Sequence, residues 1–213
     1  MRTAYYCIMG SFPLLRVTCA LVLAAASAGA QIIEFESNGL KYQTLTKEGV
    51  TLMFAPIPSH VRGYSILQVA VQNGSSLTWT VKPEDFSIRA DDGTVIPATP
   101  ARTVVNDMID KAGRGDVIKL VTAYESTLYG NNRYKATNGY EARRQNALAS
   151  LGSNKLQAAA AASAIVMVPT KLKAGDSTDG AVFFPISAKS IGGAKLVVQT
   201  AGAKFEFPVL SSN

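Results

Sequence analysis

Few residues in this 213-residue chain have both the type and the setting to do chemistry. The one histidine, His60, stands in Pro56-Ile57-Pro58-Ser59-His60, which reads as an exposed connection between strands. A Ser-His-Asp hydrolase would need this imidazole as its base, yet no G-x-S-x-G elbow presents a nucleophile to it. Asp91/Asp92 and Asp176/Asp179 have the composition of paired acids or calcium ligands. Both pairs sit beside glycines in expected turns, where an Asp side chain serves its own backbone. Arg114-Gly115-Asp116 spells the tripeptide of integrin ligands, but its place between two helical patterns makes it a break and a cap. No G-x-x-x-x-G-K-[ST] or G-x-G-x-x-G pattern occurs, so no nucleotide is expected.

The group with most functional content is Tyr129, Arg133, Tyr134, Lys135, Tyr140, Arg143 and Arg144. Tyrosine offers flat apolar area with a polar tip, and arginine a planar fork of donors, a pairing favoured at interfaces. The expected partner is a protein or a cell-envelope component, such as an anionic glycan or a lipid headgroup. With catalytic groups so sparse, the chain reads as a non-enzymatic binding module. A structural subunit of an envelope assembly is one alternative, and a hydrolase built on His60 or an acidic turn is another.

Compartment and charge follow from the first thirty residues. Arg2 and Arg16 precede an apolar run from Val17 to Ala26, and Ala28-Gly29-Ala30 has the small-residue form of a cleavage site. Residues 1–30 are therefore expected to be a signal peptide, with Met1 or Met9 as the start and Gln31 as the first mature residue. The run is short for a bilayer crossing, which takes about 20 residues, so the mature chain is not expected to be an integral membrane protein. Cys7 and Cys19 leave with the leader, so no disulfide, thiolate metal site or other cofactor is expected. Export to the periplasm or beyond follows. The formal net charge of +6 falls to +4, distributed as −2 over residues 31–100, +4 over 101–155 and +2 over 156–213. That excess lacks the dense Lys/Arg stripe of a nucleic-acid binder.

The elements that must position the Tyr/Arg group have two periods. In Ser65 to Asn73, Leu67, Val69 and Val71 alternate with Gln68, Ala70 and Gln72, the pattern of a half-buried antiparallel strand. Val50-Leu52-Phe54 and Phe86-Ile88 repeat it, and Trp79, between Leu77 and Val81, reads as a core anchor between sheets. The same grammar returns in Ile165–Val168, Ala181–Ile186, Lys195–Thr200 and Lys204–Val209, with Ala201-Gly202 as a loop and Pro208 marking an edge. Between them the period becomes about 3.6. Thr99-Pro100 reads as a cap and first helical residue, ahead of a stripe of Val104, Val105, Met108, Ile109 and Ala112. A second helix is expected from Asp116, with Val117, Leu120, Val121, Tyr124 and Leu128 on one face. A third covers Tyr140 to Leu151, and a last one the alanines around Ala158–Ala162, ending near Ser163.

The expected fold is therefore mainly β, an antiparallel β-sandwich with an α-helical insertion of about sixty residues. Residues 31–98 form its first part, 99–163 the insertion and 164–210 the second part. The stretches Leu67-Gln68-Val69-Ala70-Val71-Gln72-Asn73, Pro83-Glu84-Asp85-Phe86-Ser87-Ile88, Asp91-Asp92-Gly93, Leu172-Lys173-Ala174-Gly175 and Gly180-Ala181-Val182-Phe183-Phe184 resemble the telokin-like immunoglobulin-fold domains of exported bacterial proteins. The likeness covers about half of the mature chain, and the helical insertion and missing lipidation cysteine depart from it. It implies that the sandwich is immunoglobulin-like and the chain exported, and little about activity, since the family is largely of unknown function.

Overall fold

Tight turns set the register of the sheets. In the computed structural model Lys47 faces Val50, Val61 faces Tyr64 and Thr200 faces Ala203, each pair closed by a two-residue turn. The first turn residue is Glu48, Arg62 or Ala201, at φ 52°, 51° and 53°, and the second is a glycine that is also left-handed. Both central residues at positive φ make a turn whose twist matches that of the strands it joins. The Ala201-Gly202 loop of the sequence reading is one of these.

The structure describes residues 31–37, 39–113, 115–116, 119–120, 154–186 and 193–208. Their order is β1 (Ile33–Ser37), β2 (Leu40–Lys47), β3 (Val50–Val61), β4 (Tyr64–Asn73), β5 (Trp79–Val81), β6 (Phe86–Arg89), β7 (Val95–Pro97), α1 (Ala101–Lys111), α2 (Asn154–Ile165), β8 (Thr170–Leu172), β9 (Ser177–Phe184), β10 (Lys195–Thr200) and β11 (Ala203–Pro208). A 3-10 turn, Pro83–Asp85, leads into β6. All named strand pairs are antiparallel, in sheets ordered β1-β2-β3-β4-β9, β11-β10-β6-β7 and β5-β8. The chain is mainly β, and β11 with its Pro208 is an edge strand, as its sequence requires.

One apolar cluster joins the two larger sheets. Leu52, Phe54, Leu67, Val69, Val71, Val182 and Phe184 come from the first, and Phe86, Ile88, Leu196, Val198, Phe205 and Phe207 from the second. Phe54 meets Phe207 edge to face at 5.1 Å between ring centroids, the geometry the ring quadrupoles favour.

The expectation that β4 is half-buried is corrected, because nine of its ten residues are buried and they lie on both faces. Leu67, Val69 and Val71 enter the inter-sheet cluster, whereas Tyr64 and Ile66 enter a second one with Ile57, Val61, Ala181 and Phe183. That second cluster is closed by Val104, Met108 and Ala112 at the α1 end and by Ala158, Ala161, Ala162 and Ile165 of α2. The alternation of β4 is real, but its outer face is covered as well: Tyr64 and Ile66 by the helical layer, and Ala70 by Leu40, Tyr42, Met53 and Ala55 of β2 and β3.

Several local readings change with it. Pro100, not Thr99, is the N-cap of α1, and no side chain caps the helix. The Thr99 backbone is still tied to the sheet, its N–H donating to the Phe183 carbonyl at 2.7 Å. Ile109 is exposed, so the apolar stripe of α1 is narrower than its sequence suggests. No strand forms over Ile165–Val168: α2 runs to Ile165 and is followed by one parallel bridge, Val166 to Ala181. Trp79, at the start of short β5, is partly buried and packs against the inter-sheet cluster, and Val81 is buried within it, whereas Leu77 is 71% exposed and contributes nothing to that anchor. Residues 115–116 and 119–120 are helical, while the third helix and the expected length of the insertion rest on 121–153, outside the described residues.

Where the chain leaves α2 it presses on β9. The Met167 N–H donates to the Ala181 carbonyl at 2.8 Å, and a Cβ built on Gly180 lies 2.7 Å from the Met167 Cα. Both are backbone neighbours with nowhere to move, so only glycine fits. Gly180→Ala is expected to cost about 2 kcal/mol, within the usual range for overpacking. Urea unfolding checks this, and a midpoint unchanged from wild type would contradict the packing described.

Candidate functional site

Residues Tyr129, Arg133, Tyr134, Lys135, Tyr140, Arg143 and Arg144 lie outside the described residues. What the structure does describe is the mount from which their segment departs and to which it returns, beginning at the β3–β4 hairpin. Its tip places Arg62 in a left-handed turn, and the Arg62 Nε donates to the Asp116 Oδ2 at 2.7 Å. The same carboxylate oxygen accepts the Gly113 N–H at 2.9 Å, reaching back from the helical residues 115–116 to the end of the connection from α1. Asp116 is therefore a structural clasp with its side chain only 14% exposed; it lies within the helical residues, after Gly115, rather than at the cap position expected of it. Lys119 Nζ adds a long contact of 3.4 Å to the His60 carbonyl, and Leu120 is fully buried in the helical cluster.

A second polar link lies two residues beyond Arg62, at the first residue of β4. The Tyr64 hydroxyl donates to the Asp107 Oδ2 at 2.5 Å, and Lys111, one turn along α1, donates to the Asp107 Oδ1 at 3.1 Å. Tyr64 also packs edge to face on Phe183 at 5.9 Å. Its phenol is pushed up to about 12, first by burial and then by the Asp107 carboxylate; a hydrogen bond with Thr99 opposes this. Asp107 moves the other way, held below the ordinary carboxylate range by the Tyr64 hydroxyl and then by Lys111. At the returning end, Lys155 Nζ donates to the Asp110 carbonyl at 2.9 Å, tying the start of α2 to the end of α1.

The other candidates are placed as follows. His60 is half-buried in the irregular stretch between Ile57 and Val61, where the β3–β4 register shifts, and its Nδ1 has no hydrogen-bond partner. The Asp92 Oδ1 accepts the Thr94 N–H at 2.8 Å, which lowers its pKa, and the Asp176 Oδ2 accepts the Lys173 N–H at 2.9 Å. These two acids serve turns. Asp179 does not: it lies within β9 opposite Ala70, because β9 begins at Ser177, earlier than the expected Ala181. Among the described residues no three metal-ligating side chains converge, and no helix is long and apolar enough to cross a membrane.

Sequence reasoning passed over Arg62, Tyr64 and Asp107. An Arg-Gly pair between two strand patterns was the available signal for the first. Nothing in the sequence pairs Tyr64 with a residue on α1.

No family model matches the chain, and no curated protein matches it. One solved structure, the crystal structure of the yjhA protein from Bacillus subtilis, is similar over 84% of this chain and 96% of that chain, at 9% identity and a TM-score of 0.35.

The Tyr64 link makes a prediction with a defined sign. A phenol whose folded pKa lies above its ordinary 10.0 contributes stability that is complete below pH 10 and is lost as pH rises through about 12. Asp107, lowered on folding, contributes above the ordinary carboxylate range and loses that contribution on acidification. Tyr64→Phe should cost about 1 kcal/mol at neutral pH and flatten the alkaline limb of the stability profile between pH 10 and 12. Thermal unfolding across that range, alongside tyrosinate absorbance, provides the check; identical alkaline limbs for the two proteins would refute it.

Proposed function

We propose that this chain is an exported, non-enzymatic binding module in which the segment 121–153 meets a protein or a cell-envelope component. In this reading the two larger sheets are the layers of an immunoglobulin-like β-sandwich, and residues 99–163 are the helical insertion carried on it. Export rests on the leader grammar of residues 1–30, with β1 opening two residues after the expected mature terminus at Gln31.

The observation that carries the reading is how that segment is mounted. It leaves at Leu120, buried in the helical cluster, and returns at α2, where Lys155 is tied to Asp110. Both ends are thus held on one helical layer over β3, β4 and β9, and a recognition segment whose ends are already fixed loses less freedom on binding. Two further observations agree with it. One acid of each candidate pair, Asp92 and Asp176, accepts a backbone N–H that its turn needs satisfied, as Asp116 does at the start of the helical residues 115–116. The positive charge is concentrated in residues 101–155, where an excess of cations favours approach to anionic surfaces.

Removing residues 121–153 and joining Leu120 to Asn154 by a short glycine-serine linker leaves α1, α2 and their clasps in place. This variant is expected to fold, by circular dichroism and thermal unfolding, and to lose binding to isolated envelope fractions. In the full chain, Arg133→Ala with Arg143→Ala and Arg144→Ala should weaken binding about tenfold or more, with the remaining binding less sensitive to salt. Unchanged binding by the folded deletion variant would overturn the proposal. A defined oligomer that disperses on deletion would instead favour the structural-subunit reading.

A further inference from the structure

A cleft of about 350 Å³ opens at the end of the β10–β11 hairpin, away from the helical layer, and is lined by Thr80, Asp85, Gln199, Thr200, Lys204 and the tight turn between Thr200 and Ala203. Asp85 closes the 3-10 turn Pro83–Asp85, and its Oδ2 accepts the Lys82 N–H at 3.2 Å and the Thr200 hydroxyl at 3.0 Å. Those two bonds pin the carboxylate to the wall. Its Oδ1 receives no hydrogen bond among the described residues. The nearest lysine of the lining does not serve it, because the Lys204 ammonium pairs with Glu206. Burial accordingly leaves the Asp85 carboxyl above its ordinary range, since the two bonds to Oδ2 and the charge of Lys82 only partly offset the loss of water.

The remaining lining groups are acceptors by type or by choice. Thr80 and Gln199 are exposed, with a hydroxyl and an amide carbonyl available, and the Thr200 hydroxyl oxygen keeps lone pairs after donating to Asp85. Asp85 forms no ion pair among the described residues and feels Lys82 only as a more distant charge. An anchored carboxylate of this kind, in a recess rich in neutral acceptors, matches a group that brings one positive charge and three N–H donors. A calcium ion fits less well, because it takes six to eight oxygens and usually several carboxylates, and this lining holds one. A neutral polyol would leave the carboxylate charge unbalanced.

We propose that this cleft binds a primary ammonium group, with Asp85 as its counter-ion and Thr80, Gln199 and Thr200 as the neutral acceptors. The volume suits a small headgroup such as an amino sugar or the end of a lysine side chain. The site is independent of the segment 121–153, so it stands or falls separately from the binding role proposed above.

The test is a titration of the isotope-labelled protein, following the amide resonances of Thr200, Ala201, Gly202 and Ala203 by NMR. Ethylammonium is expected to shift these resonances saturably, and tetramethylammonium, which cannot donate hydrogen bonds, to bind about tenfold more weakly. Two further arms separate the sources: glucosamine against glucose for an amino sugar, and Nα-acetyl-lysine amide against Nα,Nε-diacetyl-lysine amide for a peptide side chain. Asp85→Asn keeps an acceptor for Lys82 and Thr200 but removes the charge, so it should stay folded and lose affinity about tenfold. Thr80→Val, at an exposed position, should weaken binding without touching Asp85. The proposal is overturned if no ammonium shifts these amides, if Asp85→Asn binds equally well, if glucose matches glucosamine, or if calcium ion binds there more tightly than any ammonium.

Discussion

The constraint on which the rest of the structure depends is that β4 has no face left for water. Leu67, Val69 and Val71 point into the inter-sheet cluster while Tyr64 and Ile66 point into the helical one. A strand buried on both sides must be covered on both sides, and each cover brings its own segment of chain. The inner cover is the β11-β10-β6-β7 sheet. The outer cover, at one end of β4, is α1 and α2. Alanines suit α2 to this task, because Ala158, Ala161 and Ala162 let its backbone lie close to Ala181 and Phe183, and burial without long side chains loses little rotamer entropy.

Polar groups then secure the places where the covers are joined to the sheet. At the far end of β4, Asn73 is fully buried and its side chain is satisfied on both ends. Its Nδ2 donates to the carbonyls of Leu77 at 2.7 Å and Leu172 at 3.2 Å, and its Oδ1 accepts the N–H and hydroxyl of Ser75 at 3.0 and 2.6 Å. The backbone of the same residue exchanges bonds with Asp176 and Gly175. One amide thus ties β4, the entry to β5, the end of β8 and the turn before β9. At the near end, Arg62 and Tyr64 do the equivalent for the helical layer through Asp116 and Asp107. Buried polar groups are costly unless paired, so each such knot fixes one arrangement of the segments it joins.

How legible this was in the sequence depends on the range of the interaction concerned. Lys195–Thr200 forms over the residues its alternation marks, and Phe205 and Phe207 are buried as their period requires, because strand period is a local property. The inner face of β4 was legible for the same reason. Its outer face was not, since whether Ile66 meets water or helix is decided by residues far along the chain, from Val104 to Ile165. The strand expected over Ile165–Val168 failed through the same kind of competition: β-branched residues there were outweighed by burial of Ile165 on the helix, leaving a single bridge at Val166. Asp116 does serve its local backbone, though not from the cap position expected, and its partner Arg62 is 54 positions earlier with no spacing to announce it. The Asp85 cleft is assembled from β5, a 3-10 turn and a hairpin, so no contiguous motif marks it.

The two clusters also differ in what they require of the chain between the halves of the sheet. Among the described residues, the inter-sheet cluster takes Ala98 and Met167 as its last and first contributors on either side of the helices, and nothing from between them. The buried apolar groups of α1 and α2 among the described residues, together with Leu120, belong to the outer cluster instead. Its coupling to the rest of the protein therefore passes through Ile57, Ile66, Ala181 and Phe183, on the opposite face of the same strands. Lengthening a loop costs little, about 0.6 kcal/mol for each doubling, provided its ends remain anchored. Here the anchors are Leu120 and the start of α2, both outside the inter-sheet core. The helical layer is thus a cover hung on one face of the sheet by its own cluster, and the two cores meet only through the strands they share.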